Sequence, residues 1–299
     1  LICVRSRRIQ RAIGSTIHDV VAHHTVQTSA ALAYYFVLSI FPGLIALSAV
    51  LGVIPVPNLF GSAMAYLNRV LPAEGMHVVR SVLTSVLSAN SRTWLSVGTL
   101  GLIWTTSSAF DAMIEALDMA YDVQDQRPIW KTRLLALGLA IVCGGLLLFS
   151  LAVMIVGPRF GEWVARELDL SRAFALVWPV LRWVLAIGFT VLAVEILYFL
   201  APAVKQRFWA TLPGAILFVV VGDALSSALG IYFRSFANFN RIYGTLGGFV
   251  AFMTWLYWTS FVLLVGAELN SELSKACTEE SLRATRGPSE QRPRLDEAA

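Results

Sequence analysis

Charged residues are scarce in this 299-residue chain, at 14%, where soluble domains carry about 25%. Hydrophobic residues make up 57%, and mean hydropathy is +0.68. A disordered chain needs the reverse balance and is excluded. Cysteine is scarce too. Cys3, Cys143 and Cys277 stand far apart with no C-x-x-C pair, which excludes a disulfide scaffold. The four histidines, His18, His23, His24 and His77, include no i, i+4 pair. His23 and His24 are neighbours that would point about 100° apart on a helix, so they cannot chelate one metal. They read as interfacial or capping residues. There is no G-x-S-x-G elbow, no H-E-x-x-H and no P-loop. No catalytic residue, metal site or cofactor is therefore expected, and the chain is not read as an enzyme.

What the chain has is apolar runs long enough to cross a bilayer. Six stand out: Ala30–Ile54, Trp94–Phe110, Leu134–Gly157, Leu176–Leu200, Leu212–Phe233 and Leu246–Ala267. A span takes about 20 residues, range about 17–25. Hydrocarbon offers the backbone no hydrogen-bond partner, so these runs should be helices. They lack the alternation of a barrel strand. The expected fold is an all-α membrane protein with six transmembrane helices. Its parts are an N-terminal segment 1–29, a membrane domain 30–273 and a polar, disordered tail 274–299 with Pro288 and Pro293. The first run is long enough to stay in the membrane, so it is not read as a cleaved signal.

Arg and Lys set the orientation. One side of the six runs carries Arg5, Arg7, Arg8, Arg11, Arg127, Lys131, Arg133, Lys205, Arg207 and a basic tail; the other is poorer. The richer side should be cytoplasmic, which puts both termini there. The pI near 9.1 thus encodes topology, and no nucleic-acid partner is expected. The outer segments 58–92 and 159–175 have apolar residues at helical spacing and read as short amphipathic helices.

Arg182, Glu195 and Asp223 are the charges inside the six runs. Each costs about 2.5–3.5 kcal/mol at a helix centre on insertion scales, so each asks for a partner or a polar cavity. Asp223 lies near the midplane of its run. It and Arg182 form either an ion pair between neighbouring helices or a site in a polar cavity. Glu195 lies near the cytoplasmic end, where Lys205 or Arg207 is the expected partner.

Asp111, Glu115, Asp118 and Asp122 follow the second run at offsets 0, 4, 7 and 11. At 100° per residue they share an arc of about 60°. Met113, Ile114, Leu117, Ala120 and Tyr121 take the other side. The acidic face is either solvated or paired with Lys131, Arg133 and the basic tail, or it is a cation vestibule. Pro42 falls mid-run and should kink the first helix by freeing the Leu38 carbonyl.

Several blocks resemble the YihY/BrkB family of bacterial inner-membrane proteins. They are Ala30-Ala31-Leu32-Ala33-Tyr34-Tyr35 with Phe41-Pro42; Ser108-Ala109-Phe110 with Ala116-Leu117-Asp118-Met119-Ala120-Tyr121; Leu212-Pro213-Gly214-Ala215; Tyr243-Gly244-Thr245-Leu246-Gly247; Trp255-Leu256-Tyr257; and Gly266-Ala267-Glu268-Leu269-Asn270. Asp118 stands where the family often has Asn, and Asp223 where an uncharged residue is expected. The resemblance implies six helices in the bacterial inner membrane, with Pro42, Pro213, Gly214, Tyr243, Gly244, Gly266 and Glu268 at motif positions. Family members have carried a ribonuclease label, an association with virulence and a description as lipid exporters. No metal-ligand cluster supports the nuclease label.

The leading expectation is a transporter or exporter of an amphipathic, lipid-like substrate, with membrane lipids as partners and a homo-oligomer as an option. The alternative is a membrane scaffold that binds partner proteins and transports nothing.

Overall fold

A computed structural model describes residues 14–16, 18–53, 64–65, 68, 76, 80, 92–167, 172–235 and 245–285. For 40–53, 92–103, 162–163, 165–167, 172–176, 234–235, 245–246 and 277–285 it describes the backbone alone. All regular structure among the described residues is helical, as segments without access to water require. Six long helices follow one another: α1 (Thr25–Val53), α2 (Arg92–Ala120), α3 (Ile129–Glu167), α4 (Arg172–Leu200), α5 (Phe208–Ser235) and α6 (Thr245–Thr285).

Four of them are long and apolar enough to cross a membrane, over Ile129–Gly161, Val177–Leu200, Phe208–Phe233 and Gly247–Ala276. They cover the last four expected spans. Helices α1 and α2 cover the first two, with 29 residues each, but do not count as spans among the described residues. Four of the six expected spans are thus found among the described residues.

Two boundaries differ from the sequence reading. Helix α3 passes through Pro158 to Glu167, so the first part of the expected outer helix 159–175 continues the span. Proline removes a helix hydrogen bond, but here a neighbouring helix ties the backbone down: the Trp178 indole N–H donates to the Gly157 carbonyl at 2.7 Å. Helix α6 runs to Thr285, well into the segment expected to be disordered from 274. Glu272 and Lys275 pair at 3.0 Å on that stretch, one turn apart, which favours helix. The outer helices expected within 58–92 fall almost wholly outside the described residues.

Each helix packs on the next, and α6 closes back onto α1, with α2 also touching α6. The six form a ring of antiparallel neighbours. Its largest apolar core lies at one end, where Leu32 of α1, Ile114 and Leu117 of α2, Leu139 of α3, Leu197 of α4, Ala215 of α5 and Leu264 of α6 are all buried. Helix α1 begins and α6 runs out at this end, called here the terminal end.

Helix α2 stops there in a Schellman turn. Asp122 takes φ 55°, its N–H donates to the Met119 carbonyl at 3.1 Å, and the Val123 N–H donates to the Asp118 carbonyl at 2.9 Å. Glycine usually fills this position, because a Cβ disfavours positive φ. A second such residue, His24 at φ 52°, joins the short helical segment 18–22 to α1. These two turns bring His23 to Asp122.

Candidate functional site

The terminal end of the ring holds a cluster of buried polar side chains drawn from α4, α5, α6 and the turn that ends α2. Glu195 of α4 is 1% exposed and Glu268 of α6 is 0% exposed, so neither is solvated. Tyr121, Tyr198, Thr211 and Asn270 are buried beside them. Buried polar atoms need partners, and most here have one. Thr211 Oγ1 lies 2.6 Å from Glu195 Oε1. Asn270 accepts from the Gly214 N–H and donates to the Thr211 carbonyl, both at 2.8 Å. The Tyr198 hydroxyl donates to the Leu263 carbonyl at 2.6 Å, and the Gln206 amide donates to the Tyr198 carbonyl.

The motif glycines permit this. A Cβ on Gly266 would lie 2.6 Å from the Tyr198 hydroxyl, and one on Gly214 would strike the Gly266 carbonyl and the Asn270 amide. Neither position has room for a side chain, so α5 and α6 cross in backbone contact. Pro213 begins no bond of its own, and Asn270 takes the place of helix partners next to it.

His23 closes the cluster from outside. Its Nδ1 is 2.8 Å from Glu268 Oε1 and its Nε2 is 2.8 Å from Asp122 Oδ1. An imidazole with a carboxylate at each nitrogen is best served by two N–H donors, the charged form. Burial opposes that charge, but Glu268, Asp122 and Asp19 outweigh burial and raise the His23 pKa above its ordinary value. Lys275 reaches Asp122 Oδ2 at 2.7 Å and holds the Asp122 carboxyl below the usual carboxylate range.

Four polar oxygens in this region are buried with no hydrogen-bond partner: Asp118 Oδ2, Tyr121 Oη, Glu195 Oε2 and Glu268 Oε2. Tyr121 is 7% exposed. Burial keeps its phenol protonated; the Asn270 and Gln206 side chains act against this, and the fields of Glu195 and Glu268 act with it. Among the described residues no three His, Cys, Asp or Glu side chains form a group that could hold a metal.

The expected site residues separate. Asp223 is exposed on α5. Arg182 turns toward α3 instead, where a Cβ on Gly157 would meet its Cδ at 2.6 Å, and its buried Nε has no partner. The expected Arg182–Asp223 pair is not formed, because the two side chains face different neighbours. Nor does Glu195 reach Lys205 or Arg207, which are exposed; it points inward to Thr211.

The acidic face of α2 divides. Asp111 pairs with Arg133 at 3.5 Å, Glu115 is exposed, and Asp122 meets Lys275. Asp118 is 4% exposed and accepts from the Ala203 N–H at 2.6 Å; burial raises its pKa. The apolar residues expected opposite, Met113, Ile114, Leu117, Ala120 and Tyr121, are buried. Pro42 lies in helix α1 where only the backbone is described, and Tyr243 and Gly244 lie outside the described residues. Sequence spacing alone could not have found His23, which is 245 residues from Glu268. Asn270 was signalled by its motif block, and Thr211 by nothing.

A second feature lies on the outside of the same end. A groove of about 550 Å³, open on one side, runs along α3 beside the end of α4. Its walls include Trp130, Leu134, Gly138, Val142 and Leu200, with Lys131 as the charged group. Lys131 is exposed and lies 5.4 Å from the centre of the Trp130 ring.

Comparison with known proteins places this architecture. Residues 16–290 match the family described as virulence factor BrkB. The chain belongs to that family. It is 28% identical over 253 residues to YfkH of Bacillus subtilis, a protein named as ribonuclease-like, covering 85% of this chain and 91% of that one. It is 26% identical over 291 residues to a UPF0761 membrane protein of Tolumonas auensis, covering 95% and 91%. A UPF0761 membrane protein of Azotobacter vinelandii is 25% identical over 254 residues, and there the match spans 83% of this chain but only 59% of the relative. No solved structure matches. The names of its relatives and its apolar helices make this BrkB-family chain a multi-pass membrane protein.

Proposed function

We propose that this BrkB-family protein moves an amphipathic, lipid-like substrate in the bacterial inner membrane, without covalent chemistry and with both termini in the cytoplasm. The observation that carries the reading is the groove on α3. Its volume of about 550 Å³ falls within the usual range for ligand pockets, about 300–1,000 Å³. Its walls are apolar and its charged group is a cation with no ion-pair partner among the described residues. Trp and Lys are side chains that sit well at a membrane interface. An acyl chain fits the walls, and an anionic headgroup fits Lys131.

The test is headgroup-labelled anionic phospholipid in vesicles that contain the purified protein. Wild type should move label between leaflets faster than empty vesicles. Gly138→Phe should slow it, because a Cβ at Gly138 meets nothing within 4 Å and the ring can fill the groove without a clash. If wild type moves no label and Gly138→Phe changes nothing, the scaffold reading replaces this one.

A further inference from the structure

Arg182 lies five residues inside the Val177–Leu200 span, about 7.5 Å along the helix axis. A guanidinium is always charged and has five N–H donors, so at that depth it calls for an anion or for polar atoms. Among the described residues nothing meets it. Its Nε is buried without a partner, and its Nη amines make no ion pair or hydrogen bond there. The polar atoms one turn deeper on the α3–α4 seam serve each other instead. Ser150 and Thr190 both donate to the Ala186 carbonyl, each at 2.9 Å.

The side chain is nonetheless held in place. A Cβ on Gly157 would lie 2.6 Å from Arg182 Cδ and 3.2 Å from its Cγ, so the stem fills a notch in α3 that only a hydrogen leaves open. One turn on, Gly161 makes a second notch. The Trp178 indole fills it, 2.2 Å from where a Cβ would stand, and its N–H reaches the Gly157 carbonyl at 2.7 Å. Phe160 lies against that ring, with centroids 5.8 Å apart. Two glycines four apart on α3 thus seat two side chains four apart on α4. An arginine that only snorkels would lie along its own helix with its head in water. This one is wedged between helices with an N–H left unbonded, a cost that a ligand on the Nη amines offsets. We propose that the Nη amines of Arg182 bind the phosphate of an anionic phospholipid in the leaflet opposite the terminal end.

The direction and the chemistry fit. Helical side chains lean toward the helix N-terminus, and the N-terminus of α4 is at that leaflet. The guanidinium is therefore carried toward the boundary between hydrocarbon and headgroups. A phosphate diester has two free oxygens, which match a planar fork of donors better than they match an ammonium. Trp178 and the exposed Phe160 and Trp183 suit that boundary. The depth favours lipid over a dissolved anion, because a free phosphate would have to shed its water to enter an apolar layer. A lipid phosphate already rests at the edge of it.

The site is separate from the groove. Lys131 precedes Gly157 by 26 residues on α3, about 39 Å of helix, close to the full thickness of a bilayer with its headgroups, about 40–45 Å. The α3–α4 pair therefore has an anion contact at each face of the membrane. Lipid can bind at Arg182 without being moved, so the site does not rest on the transport reading.

Native mass spectrometry of the full chain in detergent, with phosphatidylglycerol added, tests it. Lys131→Gln is the background, so that the groove does not contribute. That variant should still bind phosphatidylglycerol more tightly than phosphatidylcholine. Adding Arg182→Gln should weaken phosphatidylglycerol binding by about tenfold, the worth of one hydrogen bond between charged groups. Gly157→Ala in the same background keeps the charge but displaces the stem, and it should weaken binding as well; it carries the test if the Arg182 variant does not fold. Inorganic phosphate should not compete. Unchanged phosphatidylglycerol binding in both variants overturns the proposal. So does a loss in Arg182→Gln with none in Gly157→Ala, which would mean a charge that is not positioned. Competition by inorganic phosphate would overturn the lipid assignment in favour of a free anion. None of these outcomes bears on movement between leaflets through the groove.

Discussion

Gly214 and Gly266 touch where α5 crosses α6, so closely that a side chain on either would enter the other helix or the Tyr198 hydroxyl. Alanine at Gly266 should destabilise the protein by about 1–3 kcal/mol, the usual penalty of overpacking. Gly138→Ala, with open space around its Cβ, is the control. Thermal unfolding in detergent checks both, and equal midpoints for the two variants would mean that the crossing is looser than described.

Asn270 makes two backbone bonds across that crossing. Asn270→Ala removes both and strands a buried N–H and a buried carbonyl. A cost of about 1–3 kcal/mol is expected for each group left unsatisfied. Asn270→Asp should fare no better, since it keeps the acceptor for Gly214 but loses the donor for Thr211. Protease resistance of the purified variants reads the effect.

The His23 contacts should depend on pH from both sides. Folding raises the His23 pKa, so its contribution is fully present below the unfolded histidine value and fades as pH rises through the folded one. Folding lowers the Asp122 pKa, so its contribution is present above the unfolded carboxyl value and fades as pH falls through the folded one. The pair is strongest between these limits. His23→Gln should cost about 1.5–3 kcal/mol there, as for hydrogen bonds to charged groups, and should flatten the alkaline limb of a melting-temperature profile. A limb that keeps its slope would assign the titration to another group.

Asp223 sits exposed on an apolar helix with no ion-pair partner among the described residues. Asp223→Leu should ease insertion of α5 by about 2–3 kcal/mol on insertion scales without lowering the melting temperature. A lower melting temperature would reveal a partner for the carboxylate.

The helices were readable because hydrocarbon leaves the backbone one good option, and composition alone shows where that applies. Helix ends were less readable. The stretch 274–285 is polar enough to pass for a tail, yet the Glu272–Lys275 pair and the reach of Lys275 to Asp122 favour continuing the helix. The site was legible in part. A charge in an apolar run asks for a partner, and Glu195 has one, but a hydroxyl on the next helix carries no signal in sequence. Arg182 and Asp223 looked like a pair because the rule counts charges and depth, not the direction in which each side chain leaves its helix.

Because α6 closes the ring onto α1, the chain cannot complete its interior until its last helix arrives. Membrane helices enter in order as they are made. Through the synthesis of five of them, Glu195 and Thr211 face a gap, and His23 has no Glu268 to meet. Assembly therefore has a late, single commitment step, and a chain cut before Glu268 should be recognised by membrane proteases as unfinished, although five of its helices are already made.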